Sequence, residues 1–272
     1  MTASAVERHW LRNLRASASQ APLRPRVPLW AGASLIGSVE PDFLHQMALQ
    51  PMLAMPNQLL KEERSGCPGW HLPGDVTASL ERVATALHEA GLAGAWRNEQ
   101  LAVTDQWGHR QGTVERAAVR PLGITTRAVH LVGQAPNGCF WVQQRAFSKA
   151  NDPGLWDTLM GGMVSAADTV ETALARETWE EAGLQVAELQ SVRYGGRVSV
   201  RRPCSDGRGA GYVNEHIDWY RCSVPGDLAP INQDGEVAQF GLMSGNELRG
   251  ALQQGEFTLE AALILAEVLG WS

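Results

Sequence analysis

Leu80, Val83, Ala84 and Leu87 keep the i, i+3, i+4, i+7 spacing of an amphipathic helix. This predicts a helix over 75–92, with Asp75 or Thr77 as cap and Gly91 as stop. The same reading gives helices at 5–17, about 169–182, 245–253 and 258–269. Residues 33–47 read as a short strand, a Pro turn and the start of a helix. Residues 56–74, rich in Pro, Gly and charge, read as loop. Alternating or β-branched runs predict a hairpin at 100–104 and 112–115, and strands at 126–132 and 139–144 joined by the turn Ala135, Pro136, Asn137, Gly138. A loop covers 145–159, and further strands are expected near 187–194, 197–201, 213–223 and 237–243.

Hairpins mixed with few helices make an α+β chain, not a doubly wound one. A boundary is expected near 115–122, giving a smaller α+β unit over 1–118 and a second over 119–272. Charge supports the division. Residues 1–118 hold 11 Lys/Arg and 11 Asp/Glu, whereas 119–272 hold 12 and 18, so the whole net charge of −6 falls in the second unit. The acidic balance, without a Lys/Arg-rich stretch, argues against nucleic acid as a partner. No run of 18 apolar residues is present, which argues against a membrane-spanning helix. The start of the chain lacks the apolar core of a secretory signal. Four scattered cysteines fit reduced thiols and a cytoplasmic location better than a disulfide framework or zinc site.

The candidate chemistry lies at 161–184, GGMVSAADTVETALARETWEEAGL. Asp168 and Glu171 form a capping-box pattern, and Gly183 is a natural stop. Val170, Ala173 and Leu174 make the apolar stripe, and helical spacing carries that stripe on to Glu177, Glu180 and Glu181. Three carboxylates so close repel one another unless a cation lies between them. The pattern fits either a solvated acidic helix end or a hard-cation site of the Mg²⁺ or Mn²⁺ type. Arg176 can orient a carboxylate or meet a phosphate oxygen.

The segment resembles the Nudix box, G-x5-E-x7-R-E-U-x-E-E-x-G-U. Gly162, Arg176, Glu177, Glu180, Glu181, Gly183 and Leu184 fall on its positions. Asp168 stands where the pattern has Glu, and Thr178 stands at an apolar position. The resemblance implies an α/β/α sandwich around a mixed sheet, with the box as loop–helix–loop. It implies metal-dependent hydrolysis of a diphosphate linked to another moiety, with Glu177, Glu180, Glu181 and the Gly161 carbonyl on Mg²⁺ or Mn²⁺. Arg176, Glu177 and Glu181 are then the catalytic residues of the helix. Glu215 or Glu236 is the candidate base or extra ligand outside it.

The flanks, FWVQQRAFSKANDPGLWDTLMGG before the box and NQDGEVAQFGLM after it, are similar to the thiamin-pyrophosphokinase-related Nudix proteins. That similarity implies action on thiamin diphosphate or its damaged oxo and oxy forms. Arg145 and Lys149, one of only two lysines, can reach a phosphate from the loop they enter. Trp156 can stack on a heteroaromatic ring or anchor the core, and Asp157 can meet a ring nitrogen or cap a turn. Arg193, Arg197, Arg201, Arg202 and Arg208 form a basic cluster beside the acidic helix. The first unit could complete the substrate pocket, and a homodimer is left open. Three alternatives stand beside this reading: a Nudix hydrolase of another nucleoside-diphosphate derivative, an inactive diphosphate-binding module, and an enzyme like isopentenyl-diphosphate isomerase. The last needs a cysteine just ahead of the box, where residues 158–162 read TLMGG.

Overall fold

The computed structural model describes residues 4–42 and 59–271. The helix expected after Pro41 lies outside the described residues. Helix α1 (Ala5–Ala18) opens on a capping box in which Ser4 and Glu7 exchange hydrogen bonds. Strands β1 (Val27–Ala31) and β2 (Ser34–Val39) are antiparallel, and β1 runs parallel to β4 (Cys67–Leu72), which pairs with β3 (Leu60–Arg64). The stretch expected as loop thus contains a hairpin. Its charged strand KEER gave no alternation to read, because β3 is an exposed edge whose pairing is backbone to backbone.

Helix α2 (Val76–Glu89) is capped by Asp75, which accepts from the Ala78 amide at 2.8 Å. Its predicted stripe of Leu80, Val83, Ala84 and Leu87 packs on Leu29, Ile36, Trp70 and Leu72. The hairpin β5 (Gln100–Thr104) and β6 (Arg110–Glu115) joins the same core. So do Val119, Leu122, Ile124 and Ala210, so this core continues past residue 118.

The large sheet has the order β11, β12, β7, β8, β13, from β7 (Thr126–Gln134), β8 (Phe140–Arg145), β11 (Gln190–Cys204), β12 (Gly211–Ser223) and β13 (Val237–Met243). Short strands β9 (Trp156–Asp157) and β10 (Met160–Met163) pair with β8 and β7. The β7–β12 pair is parallel and the others are antiparallel, which makes the sheet mixed. The two strands expected at 187–194 and 197–201 are one long strand. It bulges between Tyr194 and Gly196, where a side chain on Gly195 would meet the Trp219 ring at 2.0 Å. Helix α3 (Val170–Ala182) covers one face through Val170, Ala173 and Leu174 against Val129 and Leu131. Helices α4 (Gly245–Gln254) and α5 (Leu259–Val268), together with α1, cover the other. Alternation along β7 sends Val129 and Leu131 to one layer and Ala128 and Val132 to the other, so the architecture is the expected α/β/α sandwich.

Arg26 ties the first sheet to the second. Its guanidinium donates to the Ala210 carbonyl at 2.5 Å, to Pro121 at 3.0 Å, and to the carbonyl and hydroxyl of Ser38. Hydrogen bonds from a charged group are worth about 1.5–3 kcal/mol each, and Arg26→Met leaves several acceptors unpaired. The expected loss is about 3 kcal/mol, read as a shift of the urea midpoint at constant slope.

Candidate active site

The acidic end of α3 meets a strand whose two central residues, Gly161 and Gly162, carry no side chains. Gly161 and Gly162 lie on β10, paired with His130 and Val129 of β7. A Cβ on Gly162 would come within 2.0 Å of the Glu177 carboxyl carbon, and one on Gly161 would strike the His130 ring. The glycines are therefore a cradle that lets the helix press its carboxylates past the strand. The Gly161 amide donates to Glu181 Oε2 at 2.9 Å, and Gln143 donates to the same oxygen at 2.8 Å.

Arg176 organises the other acids. It donates to Glu177 at 2.8 Å, to Glu180 at 2.9 Å, to Asp168 at 2.8 and 3.1 Å, and to the Met163 carbonyl at 3.2 Å. Asp168 thus acts as the partner of Arg176, and the cap expected of it belongs to Thr169, which exchanges hydrogen bonds with Thr172. The shorter Asp side chain still reaches from the position just before the cap, braced by Ser165. Thr178, at the apolar position of the pattern, is fully buried and donates to the Leu174 carbonyl at 2.6 Å, which satisfies its hydroxyl within the helix. Gly183 ends the helix in the left-handed region, as expected.

Glu177 and Glu181 open onto a cleft of about 340 Å³. Arg145, Lys149, Asp157, Gly161, Glu215 and Glu236 line it too, so most of the residues singled out in the sequence share one wall system. Glu180 and Trp156 do not line it. Glu180 is held by Arg176, and Trp156 packs with the core beneath α4 and α5. Lys149 is paired with Glu236. Of the basic cluster only Arg202 reaches the cleft, while Arg197 is bound to Asp218 at 2.8 Å and Arg208 reaches the Ala90 carbonyl. Sequence reasoning missed Arg116, Arg120, His130 and Glu260, all of which line the cleft. Arg116 and Arg120 come from the stretch between β6 and β7, which contributes one side of the cleft.

Burial dominates the electrostatics. It pushes the Glu177 carboxyl up to about 7 against the pull of Arg176, and Glu181, 2% exposed, up to about 8. Glu260 is raised to about 7 by burial and then by Glu215. Burial also opposes ionisation of Asp168 and Glu236, but hydrogen bonds from Arg176 and Lys149 override it and hold both below the ordinary range. Among the described residues no three His, Cys, Asp or Glu side chains already converge as a metal would require. The reason is visible: Arg176 Nη1 stands between Glu177 and Glu180. The donors nevertheless fit a hard divalent cation, being oxygen-rich and set beside a glycine cradle, with Glu177 and Glu181 buried.

A helix of carboxylates seated on a double glycine, inside a mixed sheet covered on both faces, defines a Nudix fold. The NUDIX domain model matches residues 124–264, just over half of the chain, and the chain belongs to this family. It is 28% identical over 208 residues to the uncharacterized protein YJR142W of Saccharomyces cerevisiae, covering 70% of this chain and 60% of that one. It is 27% identical over 192 residues to the chloroplastic Nudix hydrolase 20 of Arabidopsis thaliana, covering 68% and 50%. An isopentenyl-diphosphate Delta-isomerase of Streptomyces coelicolor is 34% identical over 98 residues, 35% of this chain and 50% of that one. The chain thus spans 50–60% of the length of the first two relatives.

Two predictions follow from the cradle. Gly162→Ala, whose Cβ cannot coexist with the present Glu177 carboxyl, should abolish metal-dependent activity while the circular dichroism spectrum stays unchanged. The second concerns pH. Glu181 titrates near 8 when folded against an ordinary 4.5, so between these values the folded chain holds a proton that the unfolded chain releases. Stability of the chelator-treated protein should therefore fall as pH rises from 5 to 8.5. Glu181→Gln should flatten that fall in urea titrations across the range.

Proposed function

We propose that this chain hydrolyses a diphosphate ester of an organic moiety, releasing a monophosphate and phosphate. The observation that carries the reading is the pair of buried carboxyl groups, Glu177 and Glu181, opening on a cleft that also presents Arg116, Arg120, Arg145, Lys149 and Arg202. In the proposed enzyme Glu177, Glu180 and Glu181, with the Gly161 carbonyl, hold Mg²⁺ or Mn²⁺. When bound, the metal offsets charge on the diphosphate oxygens and acidifies a water. Arg176 bridges Glu177 and Glu180 and is itself braced by Asp168. Arg145 and Lys149 grip the phosphates from the loop after β8. Glu236 already accepts from Lys149, so Glu215, with one oxygen bound to Thr126 at 3.0 Å, is better placed to receive the proton of the attacking water.

The substrate we favour is thiamin diphosphate or its oxo and oxy forms, on the strength of the flanking segments around the box. The unit over 1–118 then completes the pocket through Arg116. The four cysteines are free thiols, in keeping with a cytoplasmic setting. Isomerase chemistry is disfavoured because Cys204 is the one cysteine lining the cleft and it belongs to β11, not to the strand before the box.

Incubation with Mg²⁺ and a panel of diphosphates, followed by phosphorus NMR, decides the matter. The panel holds thiamin diphosphate, its oxidised forms, a nucleoside diphosphate sugar and isopentenyl diphosphate. Release of a monophosphate from the thiamin compounds is the expected result, and Glu181→Gln should slow it by about a hundredfold or more, the scale on which loss of one catalytic group acts. Turnover of none would favour a binding module, and double-bond migration in isopentenyl diphosphate would restore the isomerase.

A further inference from the structure

The reading above leaves one end of the cleft without a task. His130, 6% exposed, lies on β7 with the small Ala128 beside it on the cleft side, so the floor there is open. Its ring is held firmly. Thr158 Oγ1 has a single hydrogen, which it donates to the Met160 carbonyl at 2.8 Å. The 2.9 Å contact between Thr158 Oγ1 and His130 Nδ1 must then be donated by the imidazole, and Asp157 Oδ1 stands on the same edge at 3.4 Å. The proton is thereby fixed on Nδ1. Nε2 is left with a bare lone pair, and none of the described residues is bonded to it.

Asp157 extends the arrangement. One oxygen faces His130 and the Thr158 amide, and the other accepts from Thr258 at 3.2 Å. Thr258 caps α5, and the first turn of α5 carries Glu260 into the cleft. Asp157 is thus a brace that sets His130 and Glu260 on the two sides of one recess. The Glu260 side chain is 18% exposed, and Arg202 approaches it only to 3.9 Å. Arg145 donates to the Asn151 carbonyl and stands 3.7 Å from Asp157, which leaves further N–H groups of its guanidinium for the phosphates. The recess therefore offers acceptors: an imidazole lone pair with a fixed direction and a carboxylate with a loose partner. An uncharged hydrocarbon placed there would strip water from both and return nothing.

We propose that His130 Nε2 and Glu260 form an acceptor recess that selects N–H donors on the organic half of the diphosphate substrate. The inference deepens the hydrolase reading and relies on it only for the phosphate end. Specificity then resides in residues outside the box: one on a central strand and one on the last helix.

A phosphate-free probe isolates the recess from the hydrolytic site. The full-length protein with Mg²⁺ is titrated by calorimetry with thiamin, which carries an amino group and positive charge, and with benzyl alcohol, which carries neither. Thiamin should bind at least tenfold more tightly, and Glu260→Gln and His130→Phe should each weaken it at least fivefold. Thiamin should also shift the nitrogen-15 resonance of His130 Nε2 in the wild-type protein, a measurement that does not depend on either variant folding. Equal binding of the two probes, or an unmoved Nε2 resonance, or full affinity in a folded Glu260→Gln protein, overturns the proposal. Because binding is read, a protein that hydrolyses no diphosphate would defeat the hydrolase reading while these titrations still decide the recess.

Discussion

Burial of Glu181 is the constraint around which this structure is arranged. An ionised carboxylate is expensive to take out of water, and here the carboxylate accepts a backbone amide and a side-chain amide, with no cation bonded to it. That arrangement requires β10 to come within hydrogen-bonding distance of a helix, which a strand carrying side chains could not do. Two consecutive glycines supply the approach. The approach in turn places Glu177 over Gly162, where Arg176 must restrain it, and Arg176 needs Asp168 outside the helix to hold its other edge. Apart from the bond from Gln143, each contact is local in sequence, lying within one loop and one helix. This compactness is why a short motif can specify the whole assembly.

The same locality explains what could be read from the chain. The helix over 169–182, its glycine stop and the apolar stripe were legible because spacing alone sets them. The double glycine and the three carboxylates were legible as a pattern, and of the three the cleft joins Glu177 and Glu181 but not Glu180. The cap was misassigned because Asp168 and Thr169 are adjacent and both are good caps; only the competing guanidinium of Arg176, eight residues on, decides between them. The single strand over 190–204 was read as two because Gly195 and Gly196 look like a turn. The Trp219 ring, facing them from the neighbouring strand, turns the interruption into a bulge.

His130 and Glu260 were invisible for a different reason. His130 sits in an apolar run, RAVHLVG, and Glu260 in the first turn of an ordinary helix, where an acid is favourable in any case. Nothing near either residue in sequence marks it. Their partnership passes through Asp157 and Thr258, about a hundred residues apart, and exists only once both faces of the sheet are covered. Arg116 and Arg120 belong to the same category, since they reach the cleft by virtue of how one sheet is laid against the other. Chemistry held by a contiguous segment is written locally, whereas selectivity built from distant segments is written in the topology.

The docking of α1 carries a consequence for the order in which the molecule can form. Trp10 meets Trp271 edge to face with ring centres 5.1 Å apart, and Glu7 is bonded to Arg249 at 2.5 Å. The apolar side of α1 is thus covered by helices that leave the ribosome some 240 residues later. During synthesis at about 5–20 residues per second, that helix waits many seconds with its tryptophan unsheltered. The sheet of β1 to β4 can close meanwhile, since its own core needs little beyond residue 124. The sheet of β1 to β4 can therefore form before α1 docks, because α1 waits for α4 and α5.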